Sequence, residues 1–220
     1  ENAIALIGDS FIEASMLDPA LRPGAQLEAA LPGRPVYAMG GPGSSLLDYA
    51  DRIRLARQRL QVLDLVVMLE SGDIRQALCG SGNVHSACLA PGNLEPRRER
   101  RTEPGALKRW LRHSALAQYL FSQLKVRPEQ WVARLQPRSP APSIGAGVAG
   151  LDARTTQAVL DSFFDRLGAP GGAGRIVFIV DGSRDPRRKP LDAAMAAERL
   201  AFIDRARRWG ARVVDGEPLY

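Results

Sequence analysis

Three segments of this sequence end an apolar run on small and polar residues: Gly8-Asp9-Ser10, Gly40-Gly41-Pro42-Gly43-Ser44-Ser45 and Glu70-Ser71-Gly72-Asp73. In a parallel sheet, ligands bind at the loops that leave the carboxyl ends of the strands. A serine set between a strand and a helix has its backbone N–H near the positive end of the helix. Glycines in neighbouring loops bring further N–H groups to the same point with no Cβ in the way. A hydroxyl nucleophile beside convergent N–H donors suits acyl transfer, because the tetrahedral intermediate carries a negative oxygen. The plainer reading of Ser10 is a helix N-cap, with Glu13 three residues later completing a capping box. A capping serine is also compatible with catalysis, so this pattern alone leaves both readings open.

The segments Ile7-Gly8-Asp9-Ser10-Phe11, Val36 to Ser45 and Val66 to Asp73 resemble, in that order, the first three blocks of the SGNH (GDSL-type) hydrolases. The resemblance covers residues 3–73 and, more weakly, 175–216. It implies an α/β fold of three layers, α/β/α, with a mostly parallel, flavodoxin-like sheet of about five strands. It further implies a serine-dependent ester hydrolase acting through an acyl-enzyme on Ser10. The N–H groups of Ser10 and Gly43 would serve the oxyanion, Gly72 would stand at the third oxyanion position, and Asp9 and Asp73 would support the site. Substrates of this kind are small-molecule or carbohydrate esters, and neither a metal nor an organic cofactor is implied.

The sequence departs from the family pattern in two places. Gly72 stands where the family has asparagine, and losing that side-chain donor costs on the order of 10²–10³ in rate if nothing replaces it. The family's fourth block, Asp-x-x-His, supplies the general base and its orienting carboxylate. Here Asp215 is followed three residues later by Pro218, and the only histidines are His85 and His113. His113 lies at helical spacing and reads as a helix residue, and His85 is the weaker of the sources considered for a base. The expectation is that the sequence is cut from a longer chain that carries the Asp-x-x-His segment. An O-acetyltransferase of a cell-envelope polysaccharide is the near alternative. A catalytically impaired SGNH-fold protein that binds a glycan or an envelope-protein partner is the distant one. Phosphate binding by the 40–45 loop is disfavoured, because no Walker lysine follows and the loop does not match Gly-x-Gly-x-x-Gly.

The elements that must position these loops are legible as apolar runs. Strands are expected at 3–8, 35–40, 63–71 and 175–182, with a weaker one at 211–216. Helical patterns lie between them. Leu46, Leu47, Ala50, Ile53 and Leu60 form one apolar face, with Asp and Arg on the other, and Leu160, Phe163, Phe164 and Leu167 form a stripe that ends on Gly168. A third helical pattern starts at 191 and stops at Gly210. Strands alternating with helices indicate βαβ units, and the resemblance implies one SGNH-hydrolase-like domain over 1–220. The segment 74–150 reads as an insertion with a cysteine loop, a basic segment, a helix containing Trp110, Tyr119 and Phe121, and a Pro/Gly-rich loop at 136–150.

With 220 residues, of which 45% are hydrophobic and 25% charged, the chain can fill an ordinary globular core. The net charge of +6 comes from arginines spread along the sequence, with one cluster at 96–101. That distribution lacks the interleaved aromatics of a nucleic-acid binder, and no apolar run is long enough for a membrane span. Cys79 and Cys88 are the only cysteines. They read first as a disulfide closing a short loop, then as free thiols, and last as metal ligands with His85. A disulfide and the family resemblance favour a periplasmic or secreted protein, with a cytoplasmic one as the alternative.

Overall fold

The computed structural model describes residues 2–70, 72–81, 87–99, 151–169, 175–182 and 189–219, with the side chains of 189–194 and 219 excepted. Strands β1 (Ile4–Ile7), β2 (Val36–Met39), β3 (Asp64–Leu69), β6 (Arg175–Val180) and β7 (Arg212–Asp215) form one sheet in the order β2-β1-β3-β6-β7. Every neighbouring pair in it is parallel. This is the flavodoxin-like order, and it puts the reversal of strand order between β1 and β3, where a crevice opens at the carboxyl ends. The helices are α1 (Ser10–Glu13), α2 (Pro23–Ala30), α3 (Leu46–Arg59), α4 (Ala153–Leu167) and α5 (Lys189–Arg208). Sheet and helices together make the three-layer α/β/α arrangement.

The register explains the core. Leu65, Val67 and Leu69 of β3 stand beside Ile176, Phe178 and Val180 of β6, so one face of both strands is buried. Onto that face α3 lays Leu46, Leu47, Ala50 and Ile53, α4 lays Val159, Leu160, Phe163 and Phe164, and α5 lays Phe202 and Ile203. Phe163, Phe164, Phe178 and Phe202 pack with ring centroids 5.0 to 6.3 Å apart, most of them edge to face. Leu60, expected on the apolar face of α3, is 39% exposed, because it is the C-cap residue, where the chain leaves the helix. Buried Glu198 of α5 accepts both Arg75 Nε contacts, at 3.0 and 3.1 Å, and the N–H of Leu151 at 2.8 Å.

The start of the expected insertion belongs to the core: Ile74, Ala77, Leu78 and Leu89 are buried in it. Strands β4 (Ala87–Leu89) and β5 (Pro96–Arg98) pair antiparallel, so part of the basic cluster is a short exposed strand. His85, His113, Trp110, Tyr119, Phe121 and the 136–150 loop lie outside the described residues. Among the described residues, no helix is long and apolar enough to cross a membrane.

Cys79 and Cys88 are joined by a disulfide across a sequence separation of 9, which removes both thiolates as metal ligands. Closing a loop of this length restricts the unfolded chain by about 2–3 kcal/mol. Urea melts with and without dithiothreitol should differ by that amount, and a Cys79→Ser, Cys88→Ser protein should show no such difference.

At the opposite end of the sheet, Arg175 donates twice to Asp64 at 2.8 Å, and Arg34 donates to the same carboxylate at 2.5 Å. These bonds, Arg175 foremost, hold the Asp64 carboxyl down at about 2. With the folded value below the unfolded one, the cluster's contribution is full above pH 3.8 and is lost as pH falls through 2. Because Arg175 is exposed, Asp64→Asn should cost only about 1 kcal/mol at neutral pH. Acid titration of stability should show a correspondingly smaller loss in that variant.

Candidate active site

The crevice is lined by the loops after β1, β2 and β3. After β1 the chain turns tightly, and a Cβ on Gly8 would meet the Ile12 side chain at 2.4 Å and the Met68 carbonyl at 3.3 Å. Asp9 then caps α1, its Oδ1 accepting the N–H of Phe11 at 2.9 Å. The N-cap reading of Ser10 is therefore corrected. Asp9 reaches two residues forward in a short Asx-type turn, and Ser10 is the first residue of a single helical turn. Among the described residues nothing hydrogen-bonds the Ser10 hydroxyl, which stands half-buried at the crevice.

The second loop is locked onto the first. The N–H of Gly41 donates to the Asp9 carbonyl at 3.1 Å. At Gly40 there is no room for a side chain, since a Cβ would lie 2.3 Å from the Glu13 nitrogen and 2.9 Å from the Asp9 carbonyl oxygen. Gly43 holds φ of 67°, the left-handed region that glycine enters freely. Ser44 donates to the Gly41 carbonyl through both its N–H (3.3 Å) and its hydroxyl (2.6 Å). The Ser45 N–H is taken by Asp48 at 2.8 Å. On this rim the amides of Ser10 and Gly43 donate to no described residue, and the same holds for those of Asp9 and Gly40.

Helix α3 fastens all three loops. Its first N–H, from Leu46, donates to the Asp73 carbonyl at 3.2 Å. One turn on, the Tyr49 hydroxyl donates to Asp73 Oδ2 at 2.9 Å, and the same oxygen accepts the N–H of Glu70 at 2.8 Å. Another turn on, Arg52 donates from Nη1 to the carbonyls of Gly8 (2.6 Å) and Met39 (3.3 Å), and from Nη2 to Ser44 Oγ (2.5 Å). Residues 45, 49 and 52 share a helix face, which is why one helix reaches the ends of β1, β2 and β3 together.

Asp73 is fully buried, and burial pushes its carboxyl well above the usual carboxylate range. The Glu70 N–H and the Tyr49 hydroxyl oppose that shift, while the charges of Asp9 and Glu70 add to it. Burial and the neighbouring Asp73 likewise keep the Tyr49 phenol protonated. One carboxylate oxygen each from Asp9, Glu70 and Asp73 lies within 4.8 Å of the others. Gly72 stands beside them with its N–H on Glu70 Oε2 at 3.1 Å, so it offers the crevice neither an amide side chain nor a free backbone N–H.

Five of the expected site residues, Asp9, Ser10, Gly43, Gly72 and Asp73, thus follow β1, β2 and β3 on one rim of the sheet, Ser10 as the first residue of α1. Sequence reasoning missed Ser44, Tyr49 and Arg52. The available signal is the recurrence of polar residues at 45, 49 and 52 directly after a glycine-rich loop; by helical spacing Arg52 falls on the polar face of α3.

No family model and no curated protein sequence matches the chain. Solved structures do. An α/β hydrolase, LAE5, from the metagenome of Lake Arreo superposes with a TM-score of 0.51 at 14% identity, covering 99% of this chain and 78% of that one. An acetyl xylan esterase from Geobacillus stearothermophilus gives a TM-score of 0.50 at 13% identity over 99% and 77% of the two chains. A member of the lipolytic G-D-S-L family from Veillonella parvula gives 0.46 at 12% identity over 98% and 78%. The likeness is one of fold: this chain shares its α/β architecture with the Lake Arreo hydrolase and the acetyl xylan esterase.

Proposed function

We propose that the protein is a serine-dependent ester hydrolase that works through an acyl-enzyme on Ser10, with a carbohydrate O-acetyl ester as the leading substrate class. The observation that carries this reading is the pair of uncommitted amides at Ser10 and Gly43, on loops tied together by the Gly41 to Asp9 bond. Attack by Ser10 Oγ forms the new C–O bond and places negative charge on the former carbonyl oxygen, which the two N–H groups receive. The serine proton passes to a histidine and from it to the departing alcohol as the old C–O bond breaks; water then releases the acid. In the family pattern that histidine comes from an Asp-x-x-His segment, and His85 is the weaker source in this sequence. The acetyl choice leans on the fold shared with an acetyl xylan esterase. The disulfide favours an oxidising compartment, periplasmic or extracellular.

A second reading has its own observation. Gly72 brings no amide side chain and its N–H is occupied by Glu70, which favours a weakened enzyme or a glycan- or partner-binding protein on the same fold. Fluorophosphonate labelling of the full-length protein, followed by peptide mass spectrometry, separates the two. An adduct on Ser10 is expected. An unlabelled protein, or an adduct elsewhere, would favour the binding reading.

A further inference from the structure

We propose that Asp9, Glu70 and Asp73 together hold a hard divalent cation of the Ca²⁺ or Mg²⁺ kind, at the switch point between β1 and β3. Three carboxylates from two loops bring one oxygen each within 4.8 Å of the others. That spacing suits a shared ion, since Ca²⁺–oxygen bonds of about 2.3–2.6 Å set oxygens on opposite sides of the ion roughly 5 Å apart. An all-carboxylate donor set selects hard cations over the softer metals that seek imidazole or thiolate.

A second observation, separate from the clustering, points to a ligand. Asp73 is 0% exposed, and its Oδ1 has no hydrogen-bond partner among the described residues, whereas its Oδ2 accepts from both Tyr49 and Glu70. A buried carboxylate oxygen with no donor is costly, and a bound cation removes that cost. Arg52, one turn beyond Tyr49 on the same helix, does not: it is spent on the carbonyls of Gly8 and Met39 and on Ser44.

The same site accounts for the local departure from the family blocks. A Cβ on Gly72 would lie 3.1 Å from Glu70 Oε2, so a larger residue at 72 would crowd the Glu70 carboxylate. Glutamate at 70 and glycine at 72 belong together: one supplies a ligand and the other leaves it space. A cation there adds positive charge at Asp9, the residue before Ser10, and near Gly72, which carries no amide side chain.

The proposal concerns binding, needs no substrate, and stands whether or not Ser10 is a nucleophile. The test uses full-length protein stripped with EDTA and titrated with Tb³⁺. Tyr49, bonded to Asp73 at 2.9 Å, is placed to sensitise emission from an ion in the cluster. Saturable emission is expected, displaced by Ca²⁺ or Mg²⁺, together with a rise in melting temperature when either ion is added. Glu70→Gln should raise the Tb³⁺ dissociation constant at least tenfold, and Glu95→Gln, at an exposed site, should leave it unchanged. Should Glu70→Gln fold poorly, Asp9→Asn serves instead, since asparagine keeps the cap on Phe11. Absence of both sensitised emission and the thermal shift would overturn the site. So would equal affinities in the wild type and a folded Glu70→Gln or Asp9→Asn protein.

Discussion

Ser10→Ala should lower kcat for an acetyl ester by about 10⁴–10⁶-fold and leave stability within about 0.5 kcal/mol of the parent. The two halves of this result come from different atoms. In the proposed mechanism this hydroxyl carries the acyl group, so removing it eliminates the covalent route and leaves only what the oxyanion donors and substrate binding supply. The fold, by contrast, does not use that hydroxyl: Asp9 caps α1 through the Phe11 N–H, and no described residue bonds Ser10 Oγ. Had Ser10 been the cap, alanine would cost about 1 kcal/mol. Steady-state kinetics and urea melts on one pair of proteins measure both halves. Unchanged turnover in Ser10→Ala removes the esterase reading; a loss of stability alone returns Ser10 to a structural role.

Arg52→Met should have the next largest effect, and on both quantities. The substitution keeps much of the aliphatic stem but removes every donor. The carbonyls of Gly8 and Met39 lose their Arg52 bonds, and Ser44 loses the guanidinium that fixes its hydroxyl. Each buried acceptor left without a donor costs about 1–3 kcal/mol, so a loss near 3 kcal/mol is expected. Catalysis should suffer through geometry. Arg52 is a positioning residue that clamps the ends of β1 and β2, which lead to the Ser10 and Gly43 amides. Small displacements of such donors cost about 10²-fold, and the loss should fall on kcat with KM little changed. Lysine keeps the charge but not the planar fork, so Arg52→Lys should recover only part of both losses. Equal drops in stability with kcat intact would show that Arg52 serves the fold and not the site.

The parallel sheet was open to reading because covering a strand on both faces demands near-continuous apolar runs, and Ile4–Ile7, Asp64–Leu69 and Arg175–Val180 carry them. Even the weak run at 211–216 is a strand, Arg212–Asp215, paired to β6. The loops were legible too, since Gly8, Gly40 and Gly43 stand where side chains collide or φ turns positive. What stayed hidden depends on side chains reaching across the sequence. Arg52 contacts Gly8 from 44 residues away, and Tyr49 contacts Asp73 from 24. The recurrence of polar residues at 45, 49 and 52 marks a face but not its partner, and an arginine that snorkels under a loop has the same spacing as one in water.

The amino-acid order by itself determined the strand–helix alternation, the glycine positions and the serine at a strand end, because these follow from local sterics and hydrophobic periodicity. Only the tertiary structure decided which oxygen caps α1, which amides remain free, and that Asp9, Glu70 and Asp73 meet. Those outcomes rest on the strand order, which sets β1 between β2 and β3 and so brings loops distant in the chain within hydrogen-bonding reach.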